Sequence, residues 1–456
     1  MPQDQVPGLL SRATEQLEEQ FAGLPTFAPE VDKEAIAQVL EAVAERLGDN
    51  YPYFHPLYAG QMLKPPHPVA RAAYALAMNI NPNNHARDGG RASSELEIEA
   101  VREIAGMFGW AEFLGHLTSS GTLANLEALW VAGQLAPGQR IVGSEQAHYT
   151  HQRISAVLKL DYTGIAADHH GRMSLEALEA ELAKGDVGTV VMTLGTTALG
   201  AVDPLEEVLG LQSRYGFRVH VDGAYGGYFR LIPEALDEPA RRAYAAMDRA
   251  DSIVIDPHKH GLQPFGCGCV LFRDPAVGRF YKHDSPYTYF TSKQLHLGEI
   301  SLECSRAGAA ATALWATQRL LPLKPGGEFA SGLKRGRAAA VELDPRLRMD
   351  RGERFQALAA GGPELDIVVW KMGAEGVEQA SRRAQEVFVG CATRDLHLAL
   401  VQLPDCWFEP GNGTANRAGT GLVTCLRSVL MKPEHEAWLD RIWERLTAAC
   451  GDGVGE

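Results

Sequence analysis

Three short apolar runs constrain the fold of this chain more than any other feature. GTVVMTL (188–194), FRVHVD (217–222) and DSIVID (251–256) are brief, β-branched and almost continuously apolar. Runs of that kind suit strands buried on both faces of a parallel sheet. Helical spacing surrounds them, in LEALWVAGQL, RISAVLKL and LEALEAELAK, with RIVGS as a further strand candidate. Strand–helix alternation of this kind predicts an α/β domain whose helices cover a largely parallel sheet. Ser174 stands where it caps LEALEAELAK, and Ser94 with Glu97 makes a capping-box pattern ahead of LEIEAVREIAGMF.

The flanks read differently. Residues from about 10 to 48 have helical spacing, and the Pro- and aromatic-rich stretch Tyr51 to Pro68 excludes a regular helix. That stretch is expected to run over a surface, which in an assembly belongs to a partner. From 326 the texture changes: KPGGEFASGLKRGR precedes LDIVVWKM, LHLALVQL and TGLVTCLRSVLM, and EHEAWLDRIWERLTAAC closes the chain as an amphipathic helix. GNGTANRAGTG is read as a mobile loop. The expected division is a helical and extended segment at 1–80, a large domain at 81–325 and a small α+β domain at 326–456.

Composition narrows the class of protein. The net charge of −14 argues against a nucleic-acid or anionic-membrane partner. The N-terminus is acidic and amphipathic, unlike a secretory signal. No apolar run reaches the roughly 18 residues of a membrane span. Seven scattered cysteines suit reduced thiols in a cytoplasm.

The chemistry gathers at strand ends. DSIVIDPHKHG puts His258 and Lys259 just past the carboxyl end of an apolar run, where open α/β sheets bind ligands. A desolvated lysine there is a nucleophile toward a carbonyl; alone it is more simply a surface lysine. FRVHVDGAYGG ends a second run at Asp222, thirty-seven residues earlier, which leaves room for one helix and one strand. A carboxylate at that place keeps a pyridinium nitrogen protonated and makes the ring an electron sink. Gly223 and Ala224 leave space for a flat ring. Ser119, Ser120, Gly121 and Thr122 open a helical run, as in a phosphate site or an ordinary cap. His148 in SEQAHYTH and Thr196 and Thr197 in TLGTTALG follow two more strand candidates.

In this order, SSGT, SEQAH, LGTT, HVDGAYGG and DPHK, the motifs resemble the group II pyridoxal-phosphate-dependent decarboxylases, among them the aromatic-amino-acid, glutamate and tyrosine decarboxylases. HPLYAGQM and CSRAGAAATALWATQRLLP fit as well. The resemblance runs from about residue 50 to the end. It implies the aspartate-aminotransferase-type fold (fold type I): a large domain with a mostly parallel seven-stranded sheet, a small C-terminal α+β domain, and a homodimer with active sites at the interface. It implies pyridoxal 5'-phosphate as cofactor, covalently linked to Lys259, with His258 at the phosphate, Asp222 at the ring nitrogen and His148 over the ring. Thr197 and Ala224 lie near the ring, and Ser120, Gly121 and Thr122 match the phosphate loop.

The same resemblance makes a tyrosine of HDSPYTYFTS the proton donor to Cα. Tyr289 stands thirty residues past Lys259, with Tyr287 as the alternative. Asp256 stands where relatives often carry Asn. Asn84 and His85 fall in the region that shapes the substrate pocket, and Arg87 and Arg91 nearby leave an acidic substrate open. The expected activity is α-decarboxylation of an L-amino acid. A carbon–carbon lyase or an aminotransferase uses the same lysine and aspartate. A metal-binding, non-catalytic protein is the distant alternative, because His258, His260, Cys267 and Cys269 are all metal-ligand types. No metal site is expected: two small buried thiols in a strand are the simpler reading.

Overall fold

A computed structural model describes residues 6–25, 27, 30–282, 301–350, 354–359, 361–409 and 421–451. The large sheet contains β1 (Leu114–Thr118), β2 (Arg140–Ser144), β3 (Tyr162–Ile165), β4 (Val187–Thr193), β5 (Arg218–Asp222), β6 (Ser252–Ile255) and β7 (Gly268–Phe272), in the order β1-β7-β6-β5-β4-β2-β3. From β6 to β3 every pairing is parallel, whereas β7 runs antiparallel to both β6 and β1. β1 therefore points the same way as β6. The carboxyl ends of β1, β2, β4, β5 and β6 share one edge of the sheet.

Helices bury both faces. Every residue of β4 is buried, and β5, β6 and β7 are almost fully so. The helix Gly121–Leu135 crosses this layer and packs Ala124, Ala128 and Val131 against Val254 and Val270. Two strands with no strong apolar signature, LGHLT and YTGI, join the sheet as edge members.

The second sheet is antiparallel, in the order β10-β11-β9-β8, with β8 at Phe355–Ala357, β9 at Ile367–Met372, β10 at Ala399–Pro404 and β11 at Leu422–Val429. Helices Glu328–Met349, Val377–Ala392 and His435–Gly451 cover it around Leu343, Trp370 and Leu426. Residues 411–420 of the expected mobile loop lie outside the described residues.

Three local expectations are corrected. The N-terminal helical stretch is two helices, Val6–Glu19 and Lys33–Leu47, and Pro25 and Pro29 fall between them. The segment after Tyr51 is irregular but not superficial: Leu57, Tyr58 and Ala59 are buried, and Ala59 exchanges backbone hydrogen bonds with His397 and Val429. Ser94 and Glu97 do not cap a helix, which starts at Arg91; both are buried within it. Ser174 is a cap, accepting from the Ala177 amide at 3.3 Å. Among the described residues no helix is long and apolar enough to cross a membrane.

Candidate active site

The shared strand edge shapes a cavity of about 310 Å³. Ser120, Gly121 and Thr122 follow β1, His148 follows β2, Thr197 follows β4, Asp222 and Ala224 end β5, and His258 and Lys259 follow β6; all nine line this cavity. Ser120 caps the helix Gly121–Leu135, its hydroxyl accepting from the Leu123 amide at 3.3 Å. Backbone N–H groups there favour an anion. A side chain at Gly121 would put its Cβ 2.6 Å from both carboxylate oxygens of Asp256, so the cradle is closed to anything larger than glycine.

Asp222 is buried, yet it is held as an anion. Burial opposes the charge, but the His151 hydrogen bond, the charges of His151 and Lys259 and the Ala224 amide outweigh it and hold the carboxyl well below its usual range. His151 Nε2 lies 2.8 Å from Oδ2, Asn125 Nδ2 donates to the same oxygen at 3.3 Å, and the Ala224 amide donates to Oδ1 at 3.0 Å. Asn125 is oriented in turn by His220, whose Nε2 lies 2.9 Å from its Oδ1, and Ser252 Oγ lies 2.8 Å from His220 Nδ1. Burial pushes His220 down to about 3, so its ring is neutral. Nε2 then donates to Asn125, and the Asn125 amide is directed at Asp222.

Lys259 Nζ lies 3.1 Å from Asp256 Oδ2, and His258 Nε2 lies 3.5 Å from the same oxygen. His258 Nδ1 is 2.7 Å from the Cys267 carbonyl. Asp256 Oδ1 is buried with no hydrogen-bond partner among the described residues. His148 is half-buried, with Thr150 Oγ1 2.5 Å from its Nδ1; burial lowers its pKa and keeps the ring neutral.

The segment 32–325 matches the family described as "pyridoxal-dependent decarboxylase conserved domain". The chain belongs to that family. It is 26% identical to L-tyrosine decarboxylase of Enterococcus faecium, over 74% of this chain and 72% of that one. It is 28% identical to a probable L-tyrosine/L-aspartate decarboxylase of Methanothermobacter thermautotrophicus, over 72% and 86%. Among solved structures, mouse CSAD in apo form superposes with a TM-score of 0.78 at 21% identity, covering 96% of this chain and 92% of that one.

The pyridoxal-dependent decarboxylases use pyridoxal phosphate, and the residues present fit it. A helix N-terminus for the phosphate, an anionic carboxylate and a primary amine surround one cavity. Sequence reading missed Asn125 and His151, although His151 ends the quoted motif SEQAHYTH. Other expected residues lie elsewhere. Thr196 is buried, with its hydroxyl accepting from the Ala201 amide. Asn84 and His85 do not line the cavity, and Asn84 is committed to Glu97 at 2.6 Å and Ser93 at 2.5 Å. Arg87 pairs with Glu95 at 2.5 Å. Tyr287 and Tyr289 lie outside the described residues. Cys267 and Cys269 are buried, and burial raises both thiols. Among the described residues no three His, Cys, Asp or Glu side chains converge on a metal position.

Proposed function

We propose that this protein removes the α-carboxylate of an L-amino acid, giving an amine and carbon dioxide. The observation that carries this reading is one cavity lined by both Lys259 and a buried, anionic Asp222. Pyridoxal phosphate bound there supplies an electron sink for a bond to the substrate's Cα. In this reading Lys259 forms the covalent link, Ser120, Gly121, Thr122 and His258 hold the phosphate, and Thr197 and Ala224 flank the ring. Asp222 keeps a proton on the ring nitrogen, and neutral His148 positions the substrate. The Cα–carboxylate bond breaks, its electron pair stays with the substrate, and one proton is taken up at Cα. Tyr289 delivers that proton, with Tyr287 as the alternative. Asn84 and His85, the expected substrate contacts, lie outside this protomer's cavity, so in this reading they reach the substrate only across the interface of the proposed dimer.

We further propose that the protein is a cytoplasmic homodimer. Seven cysteines scattered along the chain suit a reducing compartment. The helix Lys33–Leu47 has no buried residue, and its apolar Ile36, Val39, Leu40, Val43 and Leu47 are all exposed at helical spacing. A second copy of this chain is the natural cover for that face.

Incubating the purified protein and cofactor with each of the twenty amino acids tests the activity. Equal amounts of carbon dioxide and amine from at least one are expected. An aldehyde or keto acid without carbon dioxide would replace this reading with lyase or aminotransferase chemistry.

A further inference from the structure

The segment carrying Lys259 has a second side. Lys259 lines the active-site cavity, whereas His260 lines another cavity, of about 280 Å³. Tyr225, in the wall of the first, packs edge-on against His260 with ring centroids 4.7 Å apart. About one layer of side chains separates the two spaces.

The floor of this second cavity is basic and under-bonded. Lys432 and His260 are both at least 98% buried, at 2% and 1% exposure, and Lys64 is partly buried beside them. Neither ring nitrogen of His260 makes a hydrogen bond among the described residues; Nε2 is 3.3 Å from Asp366 Oδ2 but out of alignment. Lys432 Nζ donates to the Tyr58 carbonyl at 2.6 Å, and among the described residues Lys64 Nζ reaches only the Met431 carbonyl, at 3.5 Å. An ammonium carries three donors. Both lysines line the cavity, and each carries more donors than the one backbone carbonyl it meets among the described residues.

We propose that this cavity is a binding site for a small oxyanion, a carboxylate or a phosphate group. Glu328, Glu434 and Arg335 are the exposed charged residues of the lining, and His67 is half-buried. Burial holds Lys64 down to about 8 and Lys432 to about 7, and Lys64 further depresses Lys432. Asp366 and Glu434 partly offset this for Lys64. An anion between the lysines relieves both effects, so binding strengthens as they protonate. The site does not depend on the decarboxylase reading.

Calorimetric titration of the cofactor-loaded enzyme tests it, because the cofactor's own phosphate cradle is then filled. The probes are malonate for a carboxylate and inorganic sulfate, a dianion throughout, for a phosphate group. At least one should bind saturably at pH 7, and which one binds identifies the ligand class. Lys64→Met should weaken that binding at least tenfold, and the wild-type affinity should fall between pH 7 and pH 9. Absence of saturable binding by either probe overturns the proposal, as does unchanged affinity in Lys64→Met. Should that variant fail to fold, a wild-type affinity that stays constant from pH 7 to pH 9 overturns it equally.

Discussion

At the scale of single residues, the site depends on the state of Asp222. Its carboxylate stays charged against the cost of burial because the His151 hydrogen bond, the charges of His151 and Lys259 and the Ala224 amide favour the anion. In the proposed reading, removing that charge removes the partner of the ring nitrogen. Asp222→Ala should leave a folded protein whose kcat falls by about 10²-fold or more, with Asp222→Glu milder; steady-state turnover equal to wild type would show that Asp222 has another role. His220 makes a separate prediction about stability. Its folded pKa is depressed from 6.5 to about 3. Between those values the unfolded chain binds a proton that the folded one refuses, so stability is present above pH 6.5 and is lost on acidification. The slope is up to about 1.4 kcal/mol per pH unit. His220→Gln should therefore lose less Tm than wild type between pH 6.5 and 4; parallel melting curves would contradict this. Lys259 and Asp222 were legible in the sequence because each ends an apolar run. Asn125 and His151 were not, because their contact with Asp222 spans 97 and 71 positions and exists only once helix and strand pack.

At the scale of elements, the sheet edge was legible from strand–helix alternation, since four of the contributing strands are marked by apolar or β-branched runs. β1 was not, because LGHLT carries a glycine and a histidine and reads as strand only beside β7. Ser94 and Glu97 misled for a related reason. A capping box is a local pattern, but here Glu97 is buried against Arg306 at 2.5 Å and the Leu117 amide at 2.9 Å. The segment 283–300 makes the functional prediction at this scale. It carries Tyr289, to which the proposal assigns proton delivery. Tyr289→Phe should still release carbon dioxide but give less amine than carbon dioxide, with a carbonyl by-product making up the difference. Equal amounts at the normal rate would remove Tyr289 from the mechanism and turn attention to Tyr287→Phe.

At the scale of the whole molecule, two helix-covered sheets follow two N-terminal helices, of which Lys33–Leu47 buries no residue. The small antiparallel sheet reaches the active site through Arg427 on β11, whose guanidinium donates to the Thr197 carbonyl at 2.8 Å and to Gln61 Oε1 at 2.6 Å. The apolar face of Lys33–Leu47 calls for a partner. Light scattering should give twice the 49.5 kDa chain mass, and Val39→Glu with Val43→Glu should shift it toward the monomer; a monomeric wild type would leave that face unexplained. The arrangement as a whole converges on one amine at one strand end. Borohydride reduction of the cofactor-loaded protein, followed by peptide mass mapping, tests that most directly. The account predicts a pyridoxyl group on the peptide bearing Lys259 and on no other lysine; a pyridoxyl group elsewhere, with Lys259 unmodified, would contradict it.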